Sequence, residues 1–171
     1  MKLEPDFFAK GTLWVARNLL GKYLCRRLAN GQIISAMITE TEAYKGFNDK
    51  ASHAHKGRTK RTEVMFAEPG TIYVYLIYGM HHCLNIVTEK KDYPAAVLIR
   101  GVENVNGPGR VCRHFQIARK LNGKKLGREL WIEDRNIRIP SSKMQVSKRI
   151  GVDYAGESKD WLWRFNLENG I

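Results

Sequence analysis

The 171-residue chain has no long apolar run; its longest such stretch, residues 72–80, carries three tyrosines. A membrane-spanning helix needs about 20 apolar residues, so no span is expected. Cysteine is scarce: Cys25, Cys83 and Cys112 are odd in number and far apart. That suits reduced thiols in a reducing compartment better than a disulfide framework. Paired metal-ligand spacings are missing too. His53-Ala54-His55 and His81-His82-Cys83 do not make a zinc pattern, and neither a metal nor another cofactor is expected. The first six residues, Met-Lys-Leu-Glu-Pro-Asp, place acids where a secretory leader is apolar, so an intracellular protein is expected. With no internal repeat and no shift in composition, residues 1–171 read as one domain. A chain this long buries roughly 70% of its unfolded surface and needs no covalent staple.

Acidic residues are also few. Seventeen Asp and Glu stand against 29 Lys and Arg, a net charge of +12. The balance favours a polyanionic partner, nucleic acid before anionic membrane. Thr12 as N-cap and Gly21 as stop predict a helix over 13–20 that buries Leu13, Ala16, Leu19 and Leu20. Asn30-Gly31 predicts a hairpin joining strands over 22–28 and 32–44. Residues 45–62 form a polar Lys/Arg/His loop, expected to be mobile or ordered by a ligand. Strands are expected over 71–77, 81–88 and 95–102, the first two meeting at Tyr78-Gly79-Met80. Gly107-Pro108-Gly109 opens a helix expected over 110–121, and Trp161–Phe165 reads as a late strand. The fold class is α+β: a single compact domain with an antiparallel β-sheet core, flanking helices and a protruding β-hairpin.

Glu40, Glu42 and Tyr44 alternate on one strand and so share a face, with neighbours roughly 7 Å apart. In a cleft, such a carboxylate can act as general base toward water; on a solvated face it is an ordinary exposed acid. Tyr73 and Tyr75 share a face of their strand. Tyr78, at a tight tip, is placed to wedge between bases of a duplex, or else to join a satellite cluster. The helix start at 107–110 offers free amides that suit a phosphate. Arg110, Arg113, Arg119, Lys120, Lys124 and Lys125 follow it, and Lys56, Arg58, Lys60 and Arg61 make a second basic cluster.

These residues carry a family resemblance over most of the chain. Glu40-Thr41-Glu42-Ala43-Tyr44, His53, Met65-Phe66, the run Pro69–Met80, Asn85-Ile86, Arg100, Gly107-Pro108-Gly109 and Arg149–Val152 with Ala155-Gly156 occur in order. In this the chain resembles the alkyladenine (3-methyladenine, or methylpurine) DNA glycosylases. The resemblance implies a monofunctional, metal-free DNA glycosylase: a damaged purine is flipped out of duplex DNA, and water, not a lysine, displaces it as the N-glycosidic bond is hydrolysed.

By the same resemblance Glu42 is the general base that activates the attacking water, and Arg100 helps to position that water. Tyr44, His53 and Tyr75 enclose the flipped purine, and Asn85 crowds the 2-amino group of guanine. Tyr78 and Met80, at the hairpin tip, and Arg58 and Arg110 contact the DNA, Tyr78 as the wedge. The implied substrates are 3-methyladenine, 7-methylguanine, hypoxanthine and ethenoadenine in double-stranded DNA, and the implied form is a monomer working beside DNA. His81-His82 departs from the larger aromatics of some relatives. The contrasting readings are a non-catalytic binder of distorted DNA or structured RNA, which leaves Glu42 without a task, and a metal-dependent nuclease or deaminase, which the ligand spacing disfavours.

Overall fold

The computed structural model describes residues 1–168, so the last three residues of the single-domain reading lie outside it. Two short helices, α1 (Pro5–Phe8) and α2 (Thr12–Asn18), precede strands β1 (Tyr23–Arg27) and β2 (Ile33–Lys45). Strands β3 (Ile72–Ile77), β4 (His81–Val87), β5 (Ala95–Val102) and β6 (Val105–Asn106) follow. After them come helix α3 (Pro108–His114) and strands β7 (Leu130–Glu133), β8 (Met144–Ser147) and β9 (Arg164–Leu167). The main sheet runs β3-β4-β5-β2-β1-β7, and its pairings are antiparallel. The expected α+β class is therefore observed.

Alternation along the strands divides the sheet into two faces. Ile72, Val74, Leu84, Ile86, Val97 and Ile99 pack with Val15 and Ala16 of α2, Leu19 just past it, Val111 of α3 and Phe115 just past it, forming the main core. The residues between them point the other way. Tyr73 pairs with Asn85, Asn85 with Leu98, Leu98 with Glu42 and Glu42 with Arg164. One row across five strands thus aligns the polar and aromatic residues on the face away from the helices.

Four sequence expectations need correction. Helix α2 begins one residue early: Gly11 is its N-cap, and Thr12 instead donates its hydroxyl and amide to the Glu89 carboxylate, at 2.6 and 3.1 Å. The helix expected over 110–121 stops at His114. Gln116 takes φ +51°, with Ile117 N–H bonded to Cys112 O and Gln116 N–H to Arg113 O, a Schellman cap built on glutamine. Arg119 and Lys120 consequently sit on a separate 3-10 turn. The loop over 45–62 is pinned by its interior: Asp49, Ala51, Ser52, Ala54 and Thr62 are buried. The late strand begins only at Arg164, after Trp161–Trp163.

Candidate active site

A cavity of about 470 Å3 opens on the polar face of the sheet, and Glu42, Tyr44, His53, Tyr75, Asn85 and Arg100 all line it. The expected catalytic and base-enclosing residues are thus brought together. Glu42 is fully buried. Its Oε2 accepts the Tyr44 hydroxyl at 2.7 Å, and its Oε1 accepts the Ile150 amide at 2.9 Å. Arg100 Nε lies 3.7 Å from the same Oε1. Burial raises the Glu42 pKa above the usual carboxylate value, although the two hydrogen bonds and Arg100 oppose the shift.

Arg100 owes its place to a bulge. Glu40 pairs with Gly101 and Thr41 with Ile99, so Arg100 is the extra residue on β5. Bulges re-aim side chains next to active sites. Here Arg100 Nε meets Glu40 at 3.1 Å, and Arg164 holds the same Glu40 oxygen from β9. A Cβ on Gly101 would stand 3.0 Å from the Glu40 Cβ, so a larger residue there would have to push Glu40 aside by a few tenths of an ångström.

The aromatic wall has its own order. His53 meets Tyr75 edge to face, with ring centroids 4.5 Å apart, and its Nδ1 is 3.3 Å from the Tyr73 hydroxyl. Burial, aided by Arg61, lowers the His53 pKa to about 4, so the ring is neutral at neutral pH. Burial also raises the Tyr44 and Tyr75 hydroxyls. Asn85 is buried against the Tyr73 and Cys83 carbonyls, at 3.4 and 3.5 Å.

Tyr78 sits at the cavity rim and is 90% exposed. It shares positive φ with Gly79 at a turn closed by the Met80 amide and the Ile77 carbonyl. Met80, also exposed, borders a neighbouring groove with His81, His82, Arg113 and Lys120. Arg110 is exposed on α3. Arg58 lies away from the cavity: it pairs with Asp92 at 2.6 Å and covers the Phe66 ring. Arg61, from the same basic cluster, lines the cavity instead.

Sequence reasoning assigned no role to Tyr154, which lines the cavity, or to Arg149. The Arg149 guanidinium is buried. It grips Asp49 through two bonds, at 2.7 and 2.8 Å, and reaches the Ala43 and Ser158 carbonyls. No local pattern reveals a partner 100 residues away. Among the described residues, no group of three or more His, Cys, Asp or Glu side chains could hold a metal, and no helix is long and apolar enough to cross a membrane.

The family model of methylpurine-DNA glycosylase (MPG) matches residues 6–106 and 103–170. The chain belongs to the methylpurine-DNA glycosylase family. It is a DNA N-glycosylase, a hydrolase of DNA repair. Three relatives provisionally named 3-methyladenine DNA glycosylase show the same extent of likeness. The one from Methanocella arvoryzae is 48% identical over 98% of this chain and 92% of its own length. That from Clostridium perfringens is 41% identical over 99% and 97%, and that from an Anaeromyxobacter is 45% identical over 98% and 90%.

Proposed function

We propose that this glycosylase, as a metal-free monomer working beside DNA inside the cell, flips alkylated or deaminated purines out of double-stranded DNA. It then hydrolyses their N-glycosidic bond and leaves an abasic site. The substrate class is that of 3-methyladenine, 7-methylguanine, hypoxanthine and ethenoadenine. The observation that carries the reading is the buried Glu42 carboxylate at the aromatic cavity, bonded to Tyr44 and Ile150 and faced by Arg100.

The chemistry follows from the site. A purine inside the duplex is out of reach, and extruding it costs a few kcal/mol. Tyr78 fills the gap in the stack, while Tyr44, Tyr75 and His53 enclose the base. Stacking worth roughly 1–3 kcal/mol per base offsets the extrusion. A purine methylated at N3 or N7 is cationic, and electron-rich rings attract it. Glu42 takes a proton from water, whose oxygen bonds to C1′ of the sugar. The C1′–N9 bond breaks, and its electron pair leaves with the purine, which departs neutral if it was cationic. Arg100 orients the water, and Asn85 crowds the 2-amino group of guanine.

The test is single-turnover excision on duplexes that each carry one methylated purine, hypoxanthine, ethenoadenine or no lesion, with and without EDTA. Expected is EDTA-resistant, lesion-specific cleavage after alkali, lost in Glu42→Gln. Tight DNA binding without cleavage of any lesion would instead favour a non-catalytic binder.

A further inference from the structure

Arg164, Glu40, Arg100 and Glu42 form a row of alternating charge, each in reach of the next. Arg164 Nε donates to Oε1 of Glu40. The same oxygen lies 3.1 Å from Arg100 Nε, which is 3.7 Å from Oε1 of Glu42. Glu40 and Arg164 line a groove beside the aromatic cavity and not the cavity itself, whereas Arg100 lines both. Arg100 is thus shared by two carboxylates, and the nearer one stands outside the space for the flipped base.

The backbone is bent to make this row. Ile38 pairs with Val102, Glu40 with Gly101 and Thr41 with Ile99, so Thr39 is an extra residue on β2 and Arg100 on β5. The two bulges cancel, and the register is the same on either side of them. Each gives up ladder pairing, and a bulge beside an active site re-aims a side chain. Here they frame Glu40 and Arg100. Arg164 pairs with Glu42 across β9, and its Nη1 donates to Ser147 Oγ on β8 at 3.3 Å, which steadies it.

We infer that Glu40 and Arg164 are positioning residues: they hold Arg100 between the two carboxylates, and so set how firmly Glu42 keeps its negative charge. The inference rests on the proposed excision reaction, in which Glu42 is the base. Arg100 favours the ionised form of Glu42, and the charge of Glu40 opposes it. Arg164 offsets part of the Glu40 charge and competes with Arg100 for its oxygen. Without Arg164, Glu40 draws Arg100 toward itself and repels Glu42 more strongly. Without the Glu40 charge, that repulsion ends and Arg100 is left to Glu42. The two removals therefore act in opposite directions. The other groups around Glu42 do not mask this. Burial raises Tyr44, Tyr75 and Tyr154 and pushes the Cys83 thiol up to about 11, so all four stay neutral at neutral pH. His53 is neutral above about 4. Arg61, and Arg149 with its partner Asp49, are the same in every variant compared.

The experiment is the pH profile of single-turnover excision on a duplex carrying one 7-methylguanine, a cationic base that needs no added proton to leave. The native protein is compared with Glu40→Gln, Arg164→Met and Arg164→Lys, each checked for folding by thermal melting. The acid limb of the profile should move down by about one pH unit in Glu40→Gln and up by about one in Arg164→Met, the size of shift that a charge within about 6 Å produces. Arg164→Lys should return the limb most of the way. The plateau rate should fall several-fold in Glu40→Gln and Arg164→Met, while lesion-duplex affinity holds, because neither residue lines the cavity. A limb at the native pH in Glu40→Gln, or limbs that move the same way in both variants, overturns the inference. Glu40→Gln keeps the shape of the side chain and decides the matter alone if Arg164→Met does not fold. No excision by the native protein at any pH counts against the proposed reaction itself, so the two failures are distinct.

Discussion

The backbone amide of Ile150 donates to Oε1 of Glu42 at 2.9 Å, although 108 positions separate the two residues. Arg149, the preceding residue, makes the contact possible. Its guanidinium ties this segment to Asp49 and to the Ala43 carbonyl on β2, next to Glu42, and stacks on Tyr44 at 4.7 Å. The loop that covers the site and the carboxylate that serves it are thus fastened by one buried ion pair.

Removing one partner of a buried ion pair leaves the other charge unpaired, at a cost of about 3–5 kcal/mol. Arg149→Ala should destabilise the protein by that amount in urea denaturation. Arg149→Met combined with Asp49→Leu should cost less. A change below about 1 kcal/mol in Arg149→Ala, the size of a surface pair, would show that the pair does not fasten the loop.

Glu42 binds its proton more tightly in the folded protein than in the unfolded chain. Its contribution to stability is therefore fully present below the unfolded pKa and is lost as pH rises through the raised folded pKa. Glu42→Gln removes this loss, so its melting temperature should exceed the native one by a margin that widens as pH rises across that window. A margin that narrows instead would contradict the raised pKa. Native excision should fall as pH drops through the same pKa, because the base must be ionised.

His53 has the opposite linkage, with its pKa lowered from 6.5 to about 4. Its neutral form contributes stability above the unfolded pKa, and that contribution is lost as pH falls through the folded one. NMR of the imidazole nitrogens should show a neutral ring at pH 6 and a His53→Gln protein with a smaller loss of stability between pH 6.5 and 4. A protonated ring at pH 6 would refute this.

Tyr78 holds a left-handed backbone, which costs an L-residue about 1–2 kcal/mol. Tyr78→Gly should therefore leave stability unchanged or raise it by up to about 1 kcal/mol, while weakening binding to lesion duplexes more than to undamaged ones. Equal losses on both duplexes would remove the wedge role.

Much of the site was legible because strand alternation is a local property. Glu40, Glu42 and Tyr44 read as one face, and Tyr73 and Tyr75 as another; Glu42, Tyr44 and both tyrosines of β3 meet around one cavity, while Glu40 braces Arg100 beside it. The hairpin tip at Tyr78-Gly79 was legible for the same reason. What escaped depends on distant partners or unusual backbone. The Schellman cap at Gln116 lacks the glycine that advertises such an end, and Glu89 caps α2 from 77 residues away. The bulge that turns Arg100 toward Glu40 appears only in the register of β2 with β5. Arg58 and Arg61 look alike in sequence, yet Asp92 holds one outside while the other lines the cavity.

The most direct measurement is the single-turnover rate of lesion excision by Glu42→Gln beside the native protein, with lesion-duplex affinity measured in parallel. Loss of a general base lowers the rate by about 10²–10⁴-fold, and affinity should hold. A variant that excises at the native rate would contradict the role of Glu42 as the base.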